Sequence, residues 1–150
     1  MSIFTGFNIA ASGMTAQQTR SDIIAQNIAN VNTTRTQDGT PYVRKNVYFT
    51  EKTVNHAQAF QSVLKAANQS VAGNGVKITA IVNDTDAEMK MVYDPSHPDA
   101  DENGYVTYPN VDVVTEMTDL IDATRAYEAN VTAFNATKNM LTTGLKVGQS

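Results

Sequence analysis

Apolar positions recur along the first 31 residues in alternating steps of four and three: Ile3, Phe7, Ala10, Met14, Gln17, Ser21, Ile24, Ile28 and Val31. All but Gln17 and Ser21 are apolar, the heptad-like seam of an amphipathic helix. At about 1.5 Å per residue that helix would be roughly 43 Å long. The same rhythm returns from Val111 to Val147, through Val113, Met117, Leu120, Thr124, Tyr127, Val131, Phe134, Lys138, Leu141 and Leu145. Here only Thr124 and Lys138 interrupt it. Asn110, after Pro109, is the expected N-cap. Asp112, Glu116, Asp119 and Asp122 gather near the start and Lys138 and Lys146 near the end, which complements the helix dipole.

Between the helices the period changes. Residues 30–41 form a polar loop with a turn signal at Asp38-Gly39. Tyr42 to Phe49 is rich in β-formers. Val76, Ile78, Ala80 and Val82 share one face at period two, and Met89, Met91 and Tyr93 are their expected strand partners across a turn at 83–87. GYVTY at 104–108 is strand-like. Phe60, Leu64, Ala67 and Val71 suit a short helix, although the 50–74 segment as a whole reads as flexible.

The expected fold is α+β: long N- and C-terminal helices pairing as an antiparallel coiled coil, with a small β-rich module between them. Residues 1–31 and 111–150 would form a discontinuous helical domain, and 32–110 the β-rich module. Closing a contact across the intervening chain costs entropy that rises only logarithmically with loop length. A register that sets Ile28 against Met117, Ile24 against Leu120, Met14 against Val131 and Ala10 against Phe134 also pairs Ser21 with Thr124. It leaves Phe7 opposite Lys138. A shift of one heptad keeps seam against seam equally well. The seams could close within one monomer or only in an oligomer.

Charge favours the second arrangement. Within the first 34 residues the only charges are Arg20 and Asp22. A solitary surface helix carries charge on its outer face, whereas this one is coated with Thr, Ser, Asn, Gln and Ala. Burial among neighbouring subunits suits amides and hydroxyls better than charges. A net charge of −4, from 11 basic and 15 acidic residues, argues against nucleic-acid binding through phosphates. No stretch is long and apolar enough to insert into a membrane, and the N-terminal residues lack the basic region of a secretory signal.

Chemistry is sparse. With no cysteine there are no disulfides, thiolate metal sites or cysteine nucleophiles. Asp99, Asp101, Asn103 and Gly104 reproduce the start of an EF-hand loop, but Asn110 stands where a bidentate glutamate belongs. A solvated acidic turn is the better reading. Neither His56 nor His97 has a second imidazole four residues away, and His97 is expected to orient its loop through Asp94 or Asp99. No nucleophile elbow or phosphate loop is present. The expectation is no enzyme activity, no cofactor and no metal.

ASGMTAQQTRSDIIAQNIANVNTT (11–34) resembles the N-terminal signature of the flagellar rod and hook axial proteins. GVKITAIVNDTD (75–86) and the run from Tyr93 to Met140 resemble in particular a subunit of the proximal rod, most specifically in YDPSHPDADENGYV. This resemblance implies a structural subunit of the basal body, exported by the type III apparatus without a cleaved signal. It would transmit torque across the periplasm and line the export channel. Implied partners are copies of itself, other proximal-rod subunits, a rod adaptor at the base and distal-rod protein. The residues expected to pair the helices and support assembly are Phe7, Ala10, Met14, Ile24, Ile28, Val31, Val113, Met117, Leu120, Tyr127, Val131, Phe134 and Leu141. The competing reading is a secreted adaptor or chaperone-like module that holds one partner along the seam.

Overall fold

A computed structural model describes residues 3–52 and 74–148. The expected Phe60–Val71 helix, and nearly all of the 50–74 segment, lie outside the described residues. The elements run α1 (Ile3–Ala29), β1 (Lys45–Glu51), β2 (Val76–Asn83), β3 (Lys90–Tyr93), β4 (Tyr105–Tyr108) and α2 (Val113–Val147). The architecture is therefore two long helices with a small β module between them in the chain. Two compact units divide it. One comprises Met1–Gln17, Phe49–Thr79 and Arg125–Ser150, the other Gln18–Tyr48 and Ala80–Thr124.

Both helices end where side chains make them end. In α1 the last turn is closed by Asn30, whose backbone N–H donates to Gln26 O and Asn27 O while its side chain donates to Gln26 O. Val31 is thereby outside the helix and not the final position of its seam. It lines an apolar recess of about 330 Å³ with Val92, Tyr108, Pro109 and Val111. The N-cap of α2 is Asp112, whose carboxylate accepts from Val114 N–H at 2.9 Å. Asn110, expected in that role, is used elsewhere. Its amide donates to Asp84 O and Ala87 O, and its oxygen accepts from the Arg44 N–H.

The strand pairing departs from expectation. β1 pairs with β2, and β3 pairs antiparallel with β4, in the register Lys90 to Tyr108 and Tyr93 to Tyr105. Met89–Tyr93 is therefore not the partner of β2. The Asp84–Ala87 turn that would have joined them is instead gripped by Asn110. β3 finds its partner beyond a second turn, where Gly104 adopts a φ of +82° and a Cβ would fall 2.9 Å from the Tyr93 ring. Only glycine suits that position. The Tyr93 and Tyr105 rings meet edge to face at 5.3 Å, and Val106 is fully buried. β1 starts at Lys45 and not at Tyr42, because the backbone at 42–45 is engaged by tertiary partners: Tyr42 N–H by Thr33 O, Arg44 N–H by Asn110, Lys45 N–H by Asn27.

Candidate assembly site

Within the unit formed by Gln18–Tyr48 and Ala80–Thr124, the first turn of α2 carries a carboxylate into the interior. Glu116 is 0% exposed and Asn27 1% exposed. Asn27 makes all four hydrogen bonds its amide can make. Its nitrogen donates to Lys45 O and to Glu116 Oε2, both at 3.0 Å. Its oxygen accepts from Tyr42 Oη at 2.9 Å and Lys45 N–H at 3.0 Å. The second Glu116 oxygen accepts from Arg44 Nε at 2.5 Å. Arg44 also donates to Asn46 Oδ1 at 2.6 Å and lies 3.5 Å from Asp84 Oδ2 and 3.6 Å from Asp119 Oδ2. Asp119 in turn pairs with Arg20 at 3.0 Å.

The electrostatics follow from these contacts. Burial pushes the Tyr42 phenol above its ordinary range, and the Glu116 carboxylate adds to the rise. Partial burial works against the Arg44 cation, yet hydrogen bonds and charge from Glu116 and then Asp84 outweigh it and raise its pKa. For Asp84 desolvation is again the largest influence. Hydrogen bonds from Asn46, the Ala87 and Asp86 N–H groups and Arg44 together overcome it and hold the carboxyl below its usual range.

Within the other unit, helix meets helix through small and aromatic side chains. Phe7 and Phe134 pack edge to face with centroids 4.8 Å apart. A Cβ at Gly6 would lie 3.4 Å from Thr137, and one at Gly13 only 2.5 Å from Asn130 Oδ1. Phe7 thus faces Phe134, not Lys138. The register differs from the one that apolar matching favoured, because the glycines admit Thr137 and Asn130 to the contact.

The outer surface of α2 carries exposed charges at Asp122, Arg125, Glu128 and Lys138, while its hydroxyls are bonded within the helix. Thr118, Thr124, Thr132 and Thr142 each donate the hydroxyl to the carbonyl four residues back in α2, and Thr15 does so in α1. Among them stand exposed apolar side chains: Val114 (74%), Met117 (54%), Ile121 (52%) and Met140 (64%). Among the described residues, no helix is long and apolar enough to cross a membrane.

The 94–104 loop uses its carboxylates internally. Asp99 accepts from Thr34 Oγ1 at 2.8 Å and lies 3.6 Å from Arg35, while Asp101 accepts from the Asn103 and Tyr105 N–H groups. Asp94 accepts from the Ser96 hydroxyl and N–H, which hold its carboxyl below the usual range against a smaller desolvation effect, with His97 adding to the fall. His97 Nδ1 accepts from the Asp99 N–H at 3.1 Å, so the imidazole orients the loop through the backbone of Asp99.

Comparison with known proteins bears directly on what these surfaces are for. The chain is 44% identical to the flagellar basal-body rod protein FlgC of Bacillus subtilis, with 99% of this chain and 100% of that protein aligned. It is 42% identical to FlgC of Borreliella burgdorferi over 99% of each, and 38% identical to FlgC of Salmonella typhimurium over 99% of this chain and all of that one. The chain belongs to the FlgC family of flagellar basal-body rod proteins. Two family signatures agree: residues 7–36 match flagella basal body rod protein, and residues 102–147 match flagellar basal body rod FlgEFG protein C-terminal. The chain is a structural component of the flagellar basal-body rod and not an enzyme. Kinship along its whole length leaves the adaptor or chaperone-like reading without support.

Of the residues expected to pair the helices of this rod protein, Ala10 and Ile24 are buried in the single chain. Phe7, Met14, Ile28, Val31, Leu120, Val131, Phe134 and Leu141 are half-buried, and Val113, Met117 and Tyr127 are exposed. The inward positions of α2 include Glu116, Ala123, Asn130 and Thr137, one residue before Met117, Thr124, Val131 and Lys138. Asn27, Tyr42, Arg44, Asn110 and Glu116 are not among the expected pairing residues, because the heptad pattern selects apolar positions and assigns Asn110 and Glu116 only local roles at the start of α2. A signal was present. Tyr42, Arg44 and Asn46 alternate on one side of a β-forming run, and a charge in such a place needs a partner.

Proposed function

We propose that the terminal helices pair antiparallel as a coiled-coil core, that this core is completed by neighbouring rod subunits, and that the β-rich module forms an outer layer. Two sets of contacts support the orientation. In one unit Gly6 and Gly13 approach Thr137 and Asn130, and in the other Arg20 and Asn27 meet Asp119 and Glu116. Numbers rise along α1 as they fall along α2 in both. The observation that carries the assembly reading is the outer surface of α2. Its threonine hydroxyls are already bonded to their own helix, so a neighbour can cover them without orphaning a donor. The apolar Val114, Met117, Ile121 and Met140 then gain from being covered.

In this reading the chain assembles with copies of itself and with other rod subunits, among them a basal adaptor and distal-rod protein. The rod spans the periplasm, transmits torque and surrounds the export channel. The chain reaches it by type III export without a cleaved signal. Residues 1–31 and 111–150 act as the axial domain and 32–110 as the module outside it. The test is complementation of a deletion strain, with basal bodies viewed by electron microscopy. Unaltered protein restores rods. Val131→Asp gives none while β3–β4 stays folded, since an unpaired carboxylate in a dry seam costs several kcal/mol. Normal rods from Val131→Asp would defeat the proposal.

A further inference from the structure

We infer that Glu116 and Arg44, held by Asn27, are register-determining residues: they select one of several otherwise equivalent alignments of the terminal helices. The inference rests on the helix pairing proposed above and adds the device that fixes it.

The need arises from the seams themselves. Both repeat every seven residues, so a slip of one heptad still sets apolar against apolar, and hydrophobic burial alone barely distinguishes the alternatives. A buried polar contact does distinguish them, because slippage leaves its members dry and unpaired. Glu116 is 0% exposed. Its two oxygens are taken by Asn27 on α1 and by Arg44 just ahead of β1. Asn27 cannot shift by a turn without losing Lys45 N–H, Lys45 O and Tyr42 Oη together. The junction thus ties α1, α2 and the chain entering β1 to one alignment. No other charged side chain among the described residues is buried. A buried ion pair is weak evidence of stability, since an apolar pair of similar volume is often as stable. Its contribution is specificity.

Cross-linking tests this directly, because the chain has no cysteine of its own. Gly6→Cys with Thr137→Cys reports the observed register, since a Cβ at Gly6 lies 3.4 Å from Thr137. Gly6→Cys with Asn130→Cys, or with Gly144→Cys, reports a slip of one heptad either way. In the otherwise unaltered full chain only the first pair should oxidise. In Arg44→Met/Glu116→Leu the disulfide should spread to a shifted pair, while far-UV circular dichroism and the melting midpoint stay close to the parent. A double variant that cross-links only at 6 and 137 overturns the inference. Absence of every cross-link in the unaltered background overturns the helix pairing itself, and the inference with it. Should the double variant fail to fold, Arg44→Lys and Arg44→Met separate the cases. Lysine keeps a cation beside Glu116 and should retain the single register, whereas methionine should lose it. Equal fidelity in both would again overturn the inference.

Discussion

Asn27→Asp changes one atom of the buried junction and keeps its shape, which makes it a sharp test of the hydrogen-bond assignment. The amide nitrogen now donates to Lys45 O and Glu116 Oε2, each 3.0 Å away. Replacing it with oxygen faces an acceptor to two acceptors. At that separation and an effective dielectric of about 20, two carboxylates repel by ~5 kcal/mol. The lost bond to Lys45 O adds about 1 kcal/mol. Arg44, 2.5 Å from the other Glu116 oxygen, offsets part of this. A net loss of about 3–5 kcal/mol remains, a large share of the roughly 5–15 kcal/mol that holds a domain folded.

The sign of the pH dependence follows. Two carboxylates that cannot both ionise share a proton, so the native pair binds protons more tightly than the unfolded chain does. Stability of the variant therefore rises as pH falls from about 7 toward 5, where the unfolded carboxylates are still ionised. Asn27→Leu is the control. It also loses the junction, leaving the Tyr42 hydroxyl, the Lys45 backbone and Glu116 Oε2 without their partner, but adds no second carboxylate, so its deficit should shrink much less over that range than that of Asn27→Asp. Urea unfolding followed by circular dichroism, at several pH values, measures both. A loss of about 1 kcal/mol or less near pH 7 for Asn27→Asp, or a deficit that does not shrink on acidification, would refute the assignment.

Two further outcomes follow from other contacts. Asp84 and Asp94 are held below the usual carboxylate range by their hydrogen bonds. Their contribution is fully present above the unfolded value of about 4 and is lost as pH falls through the lower native values; acid titration of the unaltered chain should show melting temperature falling below about pH 4 and not above it. Gly13→Ala should gain about 1 kcal/mol of helix propensity, but its Cβ would sit 2.5 Å from Asn130 Oδ1 and force that side chain off its 2.8 Å bond to Ala126 O. The single variant should be near neutral by thermal melting and the Gly13→Ala/Asn130→Ala pair clearly stabilised; additive effects would show that the two positions do not touch.

What the sequence made legible is what periodicity can carry. α1 and α2 were readable to within a few residues because both apolar repeats are long. Strand existence was also readable. Strand partnership was not, since nothing local to Met89–Tyr93 says that β4 will compete with β2 for it, and the decision lies with Asn110 gripping the Asp84–Ala87 turn. The two cap-competent residues Asn110 and Asp112 are chemically alike, and tertiary demand on Asn110 left the cap to Asp112. At the start of α2 the inward position is Glu116 and not Met117 for a related reason, while Leu120, Val131, Phe134 and Leu141 are half-buried as their seam positions imply. A search for apolar positions selects Met117 and passes over Glu116, whose burial depends on partners far away in the chain. The kinship was legible throughout, because the signature at 11–34 and the loop at 93–106 carry it in consecutive residues.

The inward turn of Glu116 also bears on why a rod protein is built this way. In an ordinary soluble domain the first turns of a helix would bury Val114, Met117 and Ile121 and leave Glu116 in water. Here the order is inverted: Glu116 is fully buried and those three are about half exposed or more. Inversion is costly in a monomer, since it leaves apolar area wet and requires a full set of hydrogen bonds for the interior carboxylate. In an assembly the cost reverses. The outward side chains are the ones a neighbour can cover at about 25 cal/mol per Å², and the charge that would have obstructed that contact has been consumed inside by Arg44 and Asn27. The junction and the exposed apolar side chains are therefore two sides of the same helical turns: placing Glu116 inward removes its charge from beside Val114, Met117 and Ile121.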